Sequence, residues 1–357
     1  MHPADKAVLR LAVGMGLAVL VAYGMALPLP FAVCVMAVLA LCKPGPPDPF
    51  VKGVVTAIIV AALLVAGVLM VPMLENYAFT GLMLTAVLLY GVFFKGALSA
   101  SPLTTILVIA ITLVPVAGVV EQALAPVLAV TLAVGLLTGT VVSSVSHALF
   151  PDPPAVAGNA LAPPEPVSRA SASWTAARAT LVVMPVFVLA LTNPAFYLAA
   201  VMKSVTLGQQ ACSTSARTAG RELVGSTLMG AAMAAMVWMG LSLRPNLWML
   251  MLWIVAAAMW AGARLFRVRR TSLTPSFWVN ALITMFILLG PAIEDSASGK
   301  DVFTASLGRV ALFVVIALYA WATVWVLEKA RAWRSRPREI RAPGSKAEQL
   351  LTDKPGN

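Results

Sequence analysis

The chain is a succession of long apolar runs cut by prolines and short polar stretches. The runs cover residues 7–26, 31–42, 51–71, 77–94, 103–120, 124–149, 175–191, 195–207, 219–241, 247–265, 276–290 and 303–327. Most approach the ~20 residues that an α-helix needs to cross a hydrocarbon core of about 30 Å. Twelve such runs predict an all-α polytopic membrane protein. The second and eighth are shorter, 12 and 13 residues, or about 18 and 20 Å of helix. Both follow prolines, Pro28 and Pro30 in one case and Pro194 in the other, which suits a helix start. Asn193 is placed to cap the second of them.

Composition strengthens this reading and excludes others. Of 357 residues, 60% are hydrophobic and 11% charged, against about a quarter charged in a soluble domain. No stretch is left for a sizeable soluble domain. There is no GxxxxGK[ST] loop, which disfavours a nucleotide-hydrolysing transporter. The two histidines, His2 and His147, argue against a zinc enzyme, and no metal or cofactor is implied. Cys34, Cys42 and Cys212 lack CxxC spacing and read as small apolar residues. With no Ser/His/Asp set or paired buried carboxylates, the chain does not read as an enzyme. The opening residues imitate a signal peptide, but the same pattern recurs in mid-chain, so they are read as a first membrane span.

The net charge of +11 bears on topology rather than on nucleic acid. With the N-terminus inside, only Arg244, Lys300 and Arg309 fall outside, and the other 22 of 25 basic residues face the cytoplasm. This places the chain in the cell inner membrane with both termini cytoplasmic. The two halves also look like copies. Arg10 opens the first as Arg178 opens the second, and Ser101-Pro102 corresponds to Thr274-Pro275. Arg10 lies 111 residues before Glu121, and Arg178 lies 116 before Glu294. The expected organisation is a six-helix repeat over 1–150, a Pro-rich linker over 151–172, a second six-helix repeat over 173–328 and a basic tail over 329–357. Six spans per half make the repeats parallel, related by an axis along the membrane normal.

Short, proline-bounded spans at matching positions of two repeats point to a transport site, because a half-helix aims its N–H groups at the midplane. Cations nearby suit an anion. The candidate anion-binding residues are therefore Arg10, Arg178, Lys203, Asn193, Lys43, Lys52 and Arg221, against the alternative that basic residues only snorkel and set orientation. No carboxylate sits in the centre of a span, so proton coupling would fall to Glu121, Glu294, Asp295 or His147. The stripe Gly135, Gly139, Ser143, His147 reads first as a close helix contact. So do Gly53-Ala57-Ala61 and Ser226-Gly230-Ala234. All nine Trp residues lie in the second half. They read as interface belts and lipid-facing packing, with stacking on an aromatic substrate the alternative for the deeper ones, such as Trp260 and Trp278.

The basic residue opening each repeat (Arg10, Arg178), the proline-bounded short spans and the basic-then-small helix starts (Lys52-Gly53; Arg221 to Thr227) resemble the fusaric-acid-resistance and aromatic-acid-exporter superfamily of inner-membrane proteins. The resemblance covers roughly residues 5–335, without the soluble cytoplasmic domain of larger members. It implies efflux of aromatic or other organic acids with a periplasmic adaptor (membrane-fusion) protein as partner, and a likeness to plant malate-type anion channels. The leading expectation is an export permease for organic anions driven by the proton gradient or membrane potential. A passive anion channel and a non-transporting membrane scaffold of an envelope complex are the alternatives.

Overall fold

The computed structural model describes residues 2–42, 50–99, 103–151, 168–213 and 216–334, and all regular structure among them is helical. The first half holds α1 (Pro3–Gly24), α2 (Pro30–Leu41), α3 (Phe50–Leu69), the short α4 (Val71–Asn76), α5 (Ala78–Ser99), α6 (Leu103–Val120) and α7 (Leu124–Leu149). The second holds α8 (Arg169–Thr192), α9 (Pro194–Ser213), α10 (Ala216–Ala219), α11 (Gly225–Leu243), α12 (Leu247–Leu265), α13 (Pro275–Ala297) and α14 (Val302–Arg334). Between α10 and α11 the chain takes a π turn, Gly220–Val224.

Local signals set the helix starts. His2 Nδ1 accepts from the Ala4 amide, Ser168 Oγ from Ser171, and Asn246 Oδ1 from Met249, each meeting an amide that the first turn leaves unbonded. Leu29 turns the chain through the left-handed region (φ 50°), and Pro30 then opens α2. Nine helices among the described residues are long and apolar enough to cross a membrane, and α2 and α6 are shorter apolar ones.

Burial is arranged as in a protein whose solvent is lipid. Ile58 and Ile59 on α3, Val87 on α5 and Val315 and Trp325 on α14 face outward, while Lys203, Asn280 and Thr284 are buried. In water the arrangement would be the reverse. Nearly every side chain of α2 is buried, including Phe31, Val33, Cys34 and Met36. The short second span is therefore a central helix, sheathed by neighbours, and needs no lipid contact along its length.

The packing follows a pattern of exchange between the halves. Helix α1 packs on α12, and α8 packs on α5; α2 packs on α13, and α9 packs on α6. Small residues allow the closest approaches. A Cβ on Gly135 would lie 3.1 Å from Val33 Cα, and one on Gly139 would lie 3.3 Å from Ala37 Cα, so α7 meets α2 backbone to backbone. Gly230 likewise lets α11 settle against the Ala281 carbonyl of α13. These seams match the small-residue stripes read from the sequence.

The expected eighth span ends too early. Helix α9 runs on to Ser213 and is 20 residues long. Its extension beyond Leu207, Gly208 to Cys212, carries Gln209 and Gln210, and such polarity resembles a loop in a hydropathy reading. These residues instead turn inward, so the helix continues without exposing them to lipid. The apparent match of two truncated spans therefore fails: of the two, α2 is short and α9 is not.

Candidate functional site

Four helices, α2, α6, α9 and α13, meet between the halves. At the end of the bundle where α6 and α13 begin and α2 and α9 finish, they line an open cavity of about 300 Å³. Leu39 of α2 and Thr105 of α6 line one side; Gln209 and Gln210 of α9 and Ser276 and Asn280 of α13 line the other. This is the end that carries most basic residues. Lys6 there donates from Nζ to the Pro151 carbonyl at 2.8 Å, tying the start of α1 to the end of α7.

A chain of hydrogen bonds leads from the cavity inward. Gln210 Nε2 donates to the Glu222 carbonyl at 3.2 Å, within the π turn, where the wider helical spacing disturbs the usual i→i−4 pairing. Asn280 Nδ2 donates to Gln210 Oε1, bridging α13 and α9. Thr284, one turn further along α13, donates to the Asn280 carbonyl at 2.6 Å and accepts from Lys203 Nζ at 2.8 Å.

Lys203 is 0% exposed. Among the described residues no carboxylate lies within ion-pairing distance of its ammonium, and the Thr284 hydroxyl is its hydrogen-bond partner. An ammonium can donate three hydrogen bonds. A lysine buried in a membrane bundle without an acid is costly, and such residues mark ligand or ion routes.

The other expected residues fall elsewhere. Arg178 is buried at the end of α8 nearest its start. It pairs with Glu328 of α14 at 2.7 Å and donates to the carbonyls of Ala211 and Cys212 at the end of α9. It already has a carboxylate and does not line the cavity, so it acts as a fastener of helix ends. Arg10 is buried in α1 and engaged. Arg221 is solvent-facing and donates to the Ser272 carbonyl at 3.3 Å. Asn193 is exposed between α8 and α9, where its carbonyl accepts from Tyr197. Lys43 and the side chain of Lys52 lie outside the described residues.

Of the acidic candidates, Asp295 is buried and paired with Arg309 at 2.6 Å, joining α13 to α14. Glu121 and Glu294 are exposed at the acidic end of the bundle. His147 Nδ1 is 2.9 Å from the Ser143 carbonyl on its own helix. The structure gathers none of these around Lys203. Trp278 is buried and packs edge-on against Trp260, over which Arg264 stacks at 3.9 Å. This aromatic group also lies apart from the cavity. Among the described residues no group of three His, Cys, Asp or Glu is placed to hold a metal.

Sequence reading missed Gln209, Gln210, Asn280, Thr284 and Thr105. A signal was present: Lys203 and Gln210 are seven residues apart and so share a helix face, and Asn280 and Thr284 are a polar i, i+4 pair inside an apolar helix.

Fold and burial together define an all-helical, multi-pass membrane protein with a buried polar cluster between α9 and α13 of its second half. No family model, curated protein or solved structure matches the chain.

Proposed function

We propose that the chain is a secondary transporter for organic anions, built from two parallel six-helix repeats and crossing the inner membrane twelve times. The exchange of contacts between halves supports the duplication. Each half's first helix rests on the other's fourth span, and each half's second helix rests on the other's fifth. Basic residues gathered at the end that holds the cavity support a cytoplasmic mouth there.

The observation that carries the transport reading is Lys203, buried between α9 and α13 with no carboxylate partner among the described residues, and connected to the cavity through Thr284, Asn280 and Gln210. A carboxylate would supply the missing counter-charge, and charge-assisted hydrogen bonds are the strong ones. Rocking of one repeat on the other would then expose Lys203 to each side in turn. Export is the direction the cytoplasmic cavity favours.

Purified protein in vesicles should take up radiolabelled benzoate with saturable kinetics that respond to an imposed pH gradient or potential. Lys203→Ala should lower the maximal rate about 100-fold, the loss of one charged hydrogen-bonded contact. Unsaturable currents would make the protein a channel, no flux would leave only the scaffold, and wild-type flux in Lys203→Ala would remove Lys203 from the route.

A further inference from the structure

One donor in the cavity is unused. Gln209 Oε1 accepts from the Thr105 hydroxyl at 2.6 Å, which ties the carboxamide to α6. Its Nε2 is buried in the cavity wall and has no hydrogen-bond partner among the described residues. The neighbouring amides are engaged: Gln210 holds the Glu222 carbonyl and receives Asn280. A buried N–H donor is normally satisfied, and an orphan one calls for an explanation.

The position of Gln209 supplies one. It lines the cavity of about 300 Å³, whereas Lys203 lies deeper, beyond the Gln210–Asn280 bridge. A molecule entering from the basic end therefore meets the Gln209 amide before it meets the ammonium. Leu39, Val279 and Ile283 give the same cavity an apolar surface. A neutral donor binds a carboxylate more weakly than an ammonium does, so transfer inward from Gln209 to Lys203 runs downhill.

We infer that Gln209 is a specificity-determining residue: its Nε2 receives the carboxylate of an apolar-bodied organic acid in the cavity, and Thr105 is the positioning residue that aims it. The inference rests on the transport reading above and adds an earlier binding step to it. Affinity at the mouth belongs to Gln209, and turnover belongs to Lys203.

Initial rates of benzoate uptake into vesicles, measured against concentration, separate the two roles. Gln209→Leu should raise KM about tenfold, one lost hydrogen bond to a charged group, with the maximal rate close to wild type. Gln209→Glu should raise KM further, because its carboxylate repels the incoming one. Thr105→Val leaves the amide in place but frees it, and should raise KM in the same direction by less. Unfolding of each variant in detergent at the wild-type temperature establishes that the bundle is intact. An unchanged KM in Gln209→Leu, or a fall in maximal rate at constant KM, would overturn the assignment. A raised KM in Gln209→Leu beside wild-type kinetics in Lys203→Ala would keep Gln209 and discard Lys203. Absence of saturable benzoate uptake by the wild type overturns the transport reading and this inference together.

Discussion

The pairs α2–α6 and α9–α13 hold equivalent places between the halves, and their chemistry is opposite. In the first pair the buried surface is apolar, with Val35, Met36, Val108 and Ile109 as typical members, and the one fully buried polar side chain of α6, Thr112, is satisfied by its own helix through the Val108 carbonyl at 2.7 Å. In the second pair Lys203, Gln210, Asn280 and Thr284 are buried and satisfy one another across helices. One half of the bundle thus provides an apolar wall and the other a cluster of hydrogen-bonded polar side chains. The polar side is also the one where the helix runs longer, because α9 continues as far as its inward-facing partners reach.

The largest expected effect comes from making the second pair resemble the first. The double variant Asn280→Leu, Thr284→Val takes from Lys203 its Thr284 acceptor and from Gln210 Oε1 its Asn280 donor. It should lower unfolding stability by about 3–5 kcal/mol, the usual consequence of stranding a buried charged group. Thr112→Val, the corresponding change in α6, breaks no cross-helix bond and should cost less than about 1 kcal/mol. Chemical unfolding in detergent micelles measures both. Equal losses at the two sites would mean that the polar network is ordinary helix packing.

A smaller effect sharpens the same contrast at the seams. A Cβ on Gly67 of α3 runs into the Ala110 carbonyl of α6, and one on Gly230 of α11 would lie 2.6 Å from the Ala281 carbonyl of α13. Both Gly→Ala changes force helices apart and should destabilise by about 1–3 kcal/mol. Only Gly230→Ala also displaces Thr284, whose Cβ stands 2.5 Å from the added atom. Benzoate flux should therefore fall in that variant alone when rates are corrected for folded protein.

The smallest effect lies at the acidic end, where the last helices of the halves begin. Ala123 starts α7 without a side-chain cap. Asp301 precedes α14, and its carboxylate accepts from the Thr304 hydroxyl and from the Phe303 amide at 3.1 Å. The Thr304 hydroxyl first, then the Phe303 and Thr304 amides, hold the Asp301 carboxyl below the ordinary aspartate range. A depressed pKa gives stability that is present above the unfolded value and lost as pH falls through the folded one. Amide protection at the start of α14, taken relative to the intrinsic exchange rate at each pH, should therefore fall on acidification below about pH 4, and that response should vanish in Asp301→Ala. Exchange at the start of α7 should show no such step.

The residues themselves show how much was legible beforehand. Gly135 and Gly139 announced the α2–α7 contact, because only a small side chain lets two helix backbones approach. Pro30 announced the start of α2. Arg178 is expected from the sequence to hold an anion, but the structure pairs it with Glu328, 150 residues away in the chain, and no local pattern identifies a partner at that distance. Gly208 to Cys212 resemble a loop when their polarity is judged against lipid, whereas the fold gives them protein neighbours.

Sequence alone determined that this is a membrane-embedded helical chain and where most helices run, since transfer from water to lipid is a sum over neighbouring residues and can be read locally. It also determined which helices can approach closely, since the size of a side chain is a local property. Tertiary structure alone decided which polar groups are satisfied and which are left open. That depends on which helices come to lie side by side, and it turned Arg178 into a fastener while leaving Lys203 without an acid and Gln209 with an unused donor.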